Sequence, residues 1–200
     1  MPNLARMETS VAPGAWGWIW ASLYALVYRN PPSNRAVVDA AGVRPQDRIL
    51  DIGCGPGAAL AYAAALATAG TVSGVDPTPR MVTVALRRVP TATVKVGGAE
   101  KLPFEDDSFT VAWSIAAYHH WPDQKAGIAE AHRVLAPGGR LLIAEKGLDQ
   151  KHGHGLDHAG VDDLGETMRA AGFIATSERQ VTAGRHTLTL VTGEAPDNQP

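Results

Sequence analysis

The sequence has little of what marks a secreted or nucleic-acid-binding protein. Its only cysteine is Cys54, so no disulfide can form within the chain, and a reducing, cytoplasmic location is expected. The formal net charge is -2, and the longest run of basic residues is the pair Arg87-Arg88. Proteins that bind nucleic acid or anionic lipid through bulk electrostatics usually carry a basic excess or stripe. We therefore expect neither kind of partner.

Long apolar runs are also scarce. Met1–Arg6 lacks a basic stretch followed at once by an apolar core, so no signal peptide is evident. The apolar stretch Ala15–Tyr28 is shorter than the about 20 residues that a membrane-spanning helix needs. We predict that it forms a lid helix over a binding site, with Trp16, Trp20 and Tyr24 toward the substrate. Association with a membrane surface, or pairing with a second copy as a homodimer, is the alternative.

Length and composition predict one globular domain. A chain of 200 residues, 45% of them hydrophobic, is long enough to bury one sizeable core. We place a tail and the lid helix in residues 1–32, the domain in residues 33–194 and a frayed tail in residues 195–200.

Strand and helix patterns alternate along the domain. The predicted strands are Arg48–Ile52, Thr71–Val75, Thr93–Val96, Phe109–Ile115, Arg140–Ala144, Ile174–Thr182 and His186–Thr192. The predicted helices between them are Ala58–Ala69, Pro79–Val89, Gln124–Leu135 and Val161–Ala171. This alternation predicts an α/β fold with a mostly parallel sheet covered by helices on both faces, and the last two strands predict an antiparallel edge. Ligands of such sheets bind beyond the carboxyl ends of the strands.

A glycine-rich turn follows the first predicted strand. Asp51 is the last residue but one of that strand. Gly53 and Gly55 lack a Cβ, so the backbone can turn tightly and approach a ligand closely. Asp76 ends the second strand, 19 positions after Gly57. A carboxylate in that place can accept hydrogen bonds from both hydroxyls of a ribose.

The ligand of this turn is either a dinucleotide or a cationic nucleoside. Gly53, Gly55 and Ala58 satisfy the G-x-G-x-x-A pattern of dinucleotide sites, so an NAD-dependent oxidoreductase is one alternative. Asp51 argues against it, because a carboxylate just before the turn would repel a pyrophosphate. The same carboxylate attracts the sulfonium and ammonium of S-adenosylmethionine.

Four motifs between residues 45 and 145 resemble those of class I S-adenosylmethionine-dependent methyltransferases. The nearest resemblance is to the small-molecule branch that includes the ubiquinone- and menaquinone-pathway enzymes. The motifs are Ile49–Gly57, Val72–Asp76 with Met81, Gly98–Phe104 followed by Asp107–Phe109, and Leu135–Leu141. The resemblance implies a doubly wound, Rossmann-like, seven-stranded sheet, with S-adenosyl-L-methionine as methyl donor and S-adenosyl-L-homocysteine as product.

The resemblance also implies roles for individual residues. Asp51 and the glycines would hold the methionine part, Asp76 the ribose and Ala99 the adenine edge, while Ser114 would meet the amino group. The full set predicted to bind the cofactor is Asp51, Gly53, Cys54, Gly55, Asp76, Pro77, Met81, Gly98, Ala99, Glu100, Ser114 and Ile115. One position departs from the family, which usually has an acid where Gly98 stands. The contact of that acid with the adenine amino group is therefore absent here or comes from elsewhere, such as Glu100.

An aromatic and histidine-rich segment follows the fourth strand, where the acceptor is expected. Histidine is well matched to proton transfer near neutral pH, so His119 and His120 are the candidate catalytic residues. Packing beside the cofactor is the alternative, and methyl transfer can also proceed by alignment and desolvation alone. The residues predicted to contact the acceptor are Trp16, Trp20, Tyr24, Tyr118, His119, Trp121 and Glu145. Glu145 fits either an acceptor contact or a structural anion.

A second histidine-rich segment follows the fifth strand. His152, His154, Asp157 and His158 have a spacing that metal ligands can use. Gly153 and Gly155 favour a flexible polar loop instead, so no metal is predicted.

The sequence thus predicts in-line SN2 transfer of a methyl group to a small, apolar or aromatic acceptor. Besides the oxidoreductase, a non-catalytic protein that binds S-adenosylmethionine remains an alternative.

Overall fold

The structure is a computed structural model that describes residues 32–147, 155–184 and 186–197. The predicted lid helix, with Trp16, Trp20 and Tyr24, lies outside the described residues, as do His152 and His154.

Strands and helices alternate over the described residues as the sequence pattern predicts. The strands are β1 (Arg48–Ile52), β2 (Thr71–Asp76), β3 (Thr93–Val96), β4 (Phe109–Ile115), β5 (Leu135–Lys146), β6 (Ile174–Ala183) and β7 (His186–Glu194). The helices are α1 (Pro32–Ala41), α2 (Ala58–Leu66), α3 (Pro79–Arg88), α4 (Gln124–Val134) and α5 (His158–Ala170), with a 3-10 turn at Tyr118–His120. In the described part of the chain, no helix combines the length and the apolar character needed to cross a bilayer.

The strands form one sheet in the order β3-β2-β1-β4-β5-β7-β6. Strands β1 to β5 run parallel, whereas β7 is antiparallel to both of its neighbours. The predicted mostly parallel seven-stranded sheet with an antiparallel edge is therefore confirmed. The reversed strand lies one place inside the edge, because β6 takes the outermost position. The strand order reverses between β1 and β4, which is where such sheets bind ligands.

Helices cover both faces of the sheet. Ile49 of β1 packs in a cluster with residues of α1, α2 and α3, and its neighbour Leu50 packs on the opposite face with residues of α4 and α5. Successive side chains of a strand point to opposite faces, so a central strand buried on both sides is apolar throughout. Four of the five residues of β1 are buried, Asp51 among them. A buried acid near the end of such a strand indicates a ligand-binding site at that end.

Several boundaries differ from the prediction, among them the start of β5 at Leu135 instead of Arg140 and the end of α2 at Leu66 instead of Ala69. Two further differences have a visible cause. Helix α5 begins at His158 instead of Val161, because the Asp157 side chain caps it and accepts a hydrogen bond from the Gly160 N–H at 2.9 Å. The tail was predicted to begin at Ala195, yet this residue is buried. Its N–H donates to the Gly139 carbonyl at 2.7 Å, which extends the pairing of the last strand.

Candidate functional site

The glycine turn after β1 is held in a left-handed backbone conformation. Gly53, Gly55 and Gly57 have φ angles of 79°, 50° and 75°. The N–H groups of Gly53 and Cys54 donate to the Val75 carbonyl at 2.8 and 3.0 Å, which fixes the turn to β2. A Cβ on Gly53 would lie 2.6 Å from the Cβ of Ala117, whereas one on Gly55 would meet none of the described residues within 4 Å. Among the described residues, the turn thus packs tightly at Gly53 and has no neighbour beside Gly55.

The side chain of Asp76, at the end of β2, holds this turn in place through hydrogen bonds. One carboxylate oxygen accepts from the Gly55 N–H at 2.9 Å, and the other accepts from the Thr78 N–H at 2.9 Å. The side chain is buried, and this burial raises the pKa of Asp76 despite those hydrogen bonds. A carboxylate oxygen accepts more than one hydrogen bond, so Asp76 keeps capacity for ligand hydroxyls.

Asp51 is more deeply buried than Asp76, at 2% exposure against 8%. Burial raises the pKa of Asp51 to about 7; the Trp113 indole opposes the rise, and the negative charge of Asp76 adds to it. Within the described residues, neither Asp51 nor Asp76 has a cationic partner. Two buried, close carboxylates without a counter-charge favour a cationic ligand.

Ser114 presents an unused hydroxyl at the end of β4. The residue is fully buried, and its Oγ has no hydrogen-bond partner among the described residues. Leaving a buried hydroxyl unpaired costs about 1–3 kcal/mol, so such a group usually has a reason. Ile115 is half-buried, and Ala116 follows it with a φ of 53°, which is rare for a residue with a side chain. A bound ligand would satisfy the Ser114 hydroxyl.

The loop after β3 brings Glu100 against Gly98. A Cβ on Gly98 would collide with the Oε2 of Glu100, so the Glu100 carboxylate fills the space of the missing side chain. Its Oε1 accepts from the Asp123 N–H at 3.4 Å. Ala99 is buried between them. The departure at Gly98 is thus accompanied by a nearby carboxylate from the same loop.

The remaining predicted cofactor residues lie around the same edge of the sheet. Pro77 is exposed, and Met81 is half-buried in the first turn of α3. Cys54 is buried, and this burial together with the nearby Asp51 and Asp76 raises the pKa of the thiol. A thiol that stays protonated is a poor nucleophile.

At the ends of β4 and β5, where the acceptor is predicted to bind, His119 is paired with Glu145. The Nδ1 of His119 lies 2.8 Å from the Oε2 of Glu145, and the backbone N–H of His119 donates to the Oε1 at 3.3 Å. Glu145, at the end of β5, is 1% exposed, whereas the adjacent His120 is exposed and its ring centroid lies 3.9 Å from that of His119. The sequence singled out both partners without their pairing. The signal was available, because the carboxyl ends of the neighbouring parallel strands β4 and β5 meet at one edge.

Tyr118 and Trp121 are placed in the core. Tyr118 is 1% exposed and Trp121 is 9% exposed, and their rings form an edge-to-face pair with centroids 5.1 Å apart. Burial raises the pKa of Tyr118 to about 12, and Asp163 and Glu145 contribute to the rise. The Trp121 ring also packs directly on Gly127 of α4. Both side chains thus leave little exposed surface for the acceptor contacts predicted from the sequence.

Metal ligands do not cluster in the described part of the chain, where no group of three or more His, Cys, Asp or Glu side chains could hold an ion. Asp157, one of the residues with metal-ligand spacing, caps α5 instead.

Part of the chain is similar to known methyltransferases. A family model described as a methyltransferase domain matches residues 50–143. The chain is 38% identical over 109 residues to the 27-O-demethylrifamycin SV methyltransferase of Amycolatopsis mediterranei, with 52% of this chain and 40% of that protein covered. It is also 38% identical over 112 residues to the demethylmenaquinone methyltransferase of Beutenbergia cavernae, with 56% and 45% covered. The chain thus spans less than half the length of these relatives.

A solved structure shows the same fold. It is the phosphoethanolamine N-methyltransferase 2 of Haemonchus contortus in complex with phosphomonomethylethanolamine and S-adenosylhomocysteine. It superposes with a TM-score of 0.74 over 92% of this chain and 58% of that chain, at 20% identity.

Proposed function

We propose that the chain carries a domain of the class I S-adenosylmethionine-dependent methyltransferase type and transfers a methyl group from S-adenosylmethionine to a small-molecule acceptor. The observation that carries this proposal is the buried pair Asp51 and Asp76 beside the glycine turn, which lacks a cation in the described residues. The matched family model spans the same residues. Neither the oxidoreductase nor the non-catalytic alternative gains support from these comparisons.

The residues present fit this cofactor. Asp51 supplies the negative charge that the ammonium and sulfonium groups need, and the unpaired Ser114 hydroxyl supplies a polar contact at the end of β4. Asp76 keeps acceptor capacity for the two ribose hydroxyls. None of the described residues lies within 4 Å of a Cβ placed on Gly55, which leaves room for a ligand against the backbone. We assign these four residues to the methionine and ribose parts of the cofactor.

Glu100 completes the adenine end of this assignment. Its carboxylate lies in the space where a side chain on Gly98 would stand, and the Asp123 N–H holds it there. We assign Glu100 as the acceptor for the adenine amino group, with Ala99 beside the ring.

The chemistry requires alignment and exclusion of water. Bound S-adenosylmethionine supplies an electrophilic methyl carbon to an acceptor atom that approaches in line with the bond that breaks. The residues at the ends of β4 and β5 would place this acceptor atom, and positioning of this kind supplies a large part of a rate enhancement. The acceptor remains proposed as small and apolar or aromatic, and the location as cytoplasmic.

Isothermal titration calorimetry tests the proposal. We expect saturable, micromolar binding of S-adenosylmethionine and of S-adenosylhomocysteine by the full chain, and no binding of NAD⁺, because Asp51 repels its pyrophosphate. Binding of NAD⁺ alone would favour the oxidoreductase. A folded protein that binds none of the three would contradict the proposal.

A further inference from the structure

Trp113 of β4 is a buried hydrogen-bond donor that the described residues leave unused. Its side chain is fully buried, and its Nε1 has no hydrogen-bond partner among the described residues. An indole has a single N–H donor and no acceptor, so only an oxygen or nitrogen lone pair can satisfy it. An unpaired buried donor is rare in proteins and calls for an explanation from its surroundings.

The register of the sheet places Asp51 next to this indole. Strands β1 and β4 are parallel neighbours, and Asp51 is the register partner of Trp113. Register partners point to the same face of a sheet, and Trp113 packs in one cluster with Ile49, which lies on the same face of β1 as Asp51. The indole and the carboxyl, which is 2% exposed, are therefore neighbours on one buried face.

Among the described residues, Trp113 is the neighbour that favours the ionised form of Asp51. Burial, the largest influence, and the charge of Asp76 raise the pKa of Asp51, whereas the indole lowers it. The Cys54 thiol of the glycine turn stays neutral, because its own pKa is raised. Helix α2 packs on β1 and carries Tyr62, whose hydroxyl donates to an acid of α1 at 2.7 Å. Helix α3 packs on β2 and β3, and its charged residues are Arg80, Arg87 and Arg88.

We propose that Trp113 is a positioning residue of the cofactor site, whose indole N–H donates to the Asp51 carboxylate and keeps it ionised and oriented toward a cation at neutral pH. This inference rests on the proposed function, in which Asp51 attracts the ammonium and sulfonium groups of S-adenosylmethionine. Trp113 acts through Asp51 and not on the cofactor itself. A phenylalanine in its place would keep the site equally apolar and would supply no donor.

The consequence is a pH range for cofactor binding. The pKa of Asp51 is about 7, so the carboxyl is about half ionised at neutral pH. A hydrogen bond to the charged form of an acid lowers its pKa, and the loss of that bond raises it. Without the indole, the midpoint of the Asp51 titration should rise by about one pH unit. Most of the carboxyl would then be protonated at pH 7, whereas it would still be ionised at about pH 8.5.

The indole resonance tests the contact without any ligand. In the full chain labelled with ¹⁵N-tryptophan, the Nε1–H signal of Trp113 is assigned through the backbone of β4. We expect it to move downfield as the pH rises through about 7, because a carboxylate accepts more strongly than a carboxyl group. Asp51→Asn should abolish this movement. A signal that does not respond to pH, or that responds equally in Asp51→Asn, would overturn the proposal.

Affinity for S-adenosylmethionine tests the consequence for the site. The dissociation constant of Trp113→Phe is divided by that of the unsubstituted chain at each pH, so that titration of the ligand cancels. We expect a ratio near one at about pH 8.5, of about five at pH 7 and of about ten at pH 6. Phe173→Leu truncates a buried aromatic side chain in the cluster on the opposite face of the sheet. Its ratio should stay near one at every pH.

The shape of the pH profile separates this role from core packing. A loss of affinity of the same size at every pH would show that Trp113 only supports the fold, and no loss at any pH would show that Asp51 does not need the indole. Either result would overturn the proposal and leave the methyltransferase assignment in place. Failure of the unsubstituted chain to bind S-adenosylmethionine would instead remove the proposed function, and the indole resonance would still test the contact between Trp113 and Asp51.

Discussion

Buried carboxylates at the two ends of strand β1 have pKa values that are shifted in opposite directions. Asp47, just before β1, is 4% exposed, and burial alone would raise its pKa. Hydrogen bonds from the Arg44 backbone and from the side chains of Thr110 and Arg140 outweigh this effect, so the pKa of Asp47 is lowered. Asp51, four residues later at the other end of the strand, has its pKa raised to about 7.

This difference in pKa distinguishes an acid that has a structural partner, such as Asp47, from an acid that is available to a ligand, such as Asp51. At the amino end, the chain supplies the cation itself: Arg140 reaches Asp47 at 3.0 Å and also donates to the carbonyls of Ala41 and Gly42. Glu130, whose hydrogen bonds from Arg133 lower its pKa, is held in the same manner. At the carboxyl end, the described residues provide no such cation. A perturbed acid in a ligand-binding position is a candidate functional group for that reason.

The largest effect is expected from Asp51→Asn, which removes the proposed partner of the cofactor's positive charges. We expect affinity for S-adenosylmethionine, measured by calorimetry, to fall about 100-fold or more. In the unsubstituted protein, affinity should weaken as the pH falls below about 7, because the carboxyl becomes protonated. The variant should lose this pH dependence. Retained affinity in the variant would contradict the assignment.

The stability of the folded protein should depend on pH in the opposite direction to its affinity for S-adenosylmethionine. The pKa of Asp51 is about 7 in the folded chain and near 3.8 when unfolded, so the folded state holds the proton more tightly. Its contribution to stability is therefore fully present below about pH 4 and lost as the pH rises through about 7. Above that pH, Asp51→Asn should raise the melting temperature by removing a buried charge. The matched substitution Asp47→Asn should instead lower it.

A smaller effect, confined to stability, is expected from Arg140→Ala at the amino end. Loss of its ion pair and two carbonyl contacts should lower the free energy of unfolding by about 2–3 kcal/mol, measured with urea at neutral pH. Because Asp47 has a lowered pKa, this loss should shrink as the pH falls through the range where that carboxyl is protonated. Affinity for S-adenosylmethionine should stay within about twofold. A large loss of affinity would show that the two ends are coupled.

Most of the fold can be predicted from the sequence, because the spacing of apolar residues and the glycines that end each element determine helices and strands locally. Strand β1 is apolar except at Arg48 and Asp51, and glycines follow it directly. Both its burial and its end can therefore be predicted from the sequence. The extended β5 was not predicted, because its extra pairing of Leu135 with Phe109 depends on tertiary register. The start of α5 depends on the cap at Asp157, in a stretch that looked like a loop.

The site is predicted less completely. The position of a residue in the sequence shows at which strand end it lies, but not which other side chain it contacts. Asp51, Asp76 and Ser114 were singled out from the ends of strands, and the structure brings them to one edge of the sheet. The His119–Glu145 contact joins residues 26 positions apart through strand order, which no local pattern encodes. The same limit left the role of Glu100 open at the sequence level.

The smallest effect is expected at the adenine end. If the Glu100 carboxylate accepts from the adenine amino group, Glu100→Ala should weaken S-adenosylhomocysteine binding about tenfold. Binding of S-inosylhomocysteine, which lacks that amino group, should not change. Glu105→Ala, an exposed acid on the same loop, should affect neither ligand.

Gly98→Asp sharpens this test, because the new side chain needs the space that Glu100 occupies. Added to Glu100→Ala, it should restore S-adenosylhomocysteine affinity, whereas alone it should gain little. The two changes would then be non-additive, as expected for residues that serve one contact. Equal losses for both ligands in Glu100→Ala would show instead that the carboxylate only supports the loop through the Asp123 N–H.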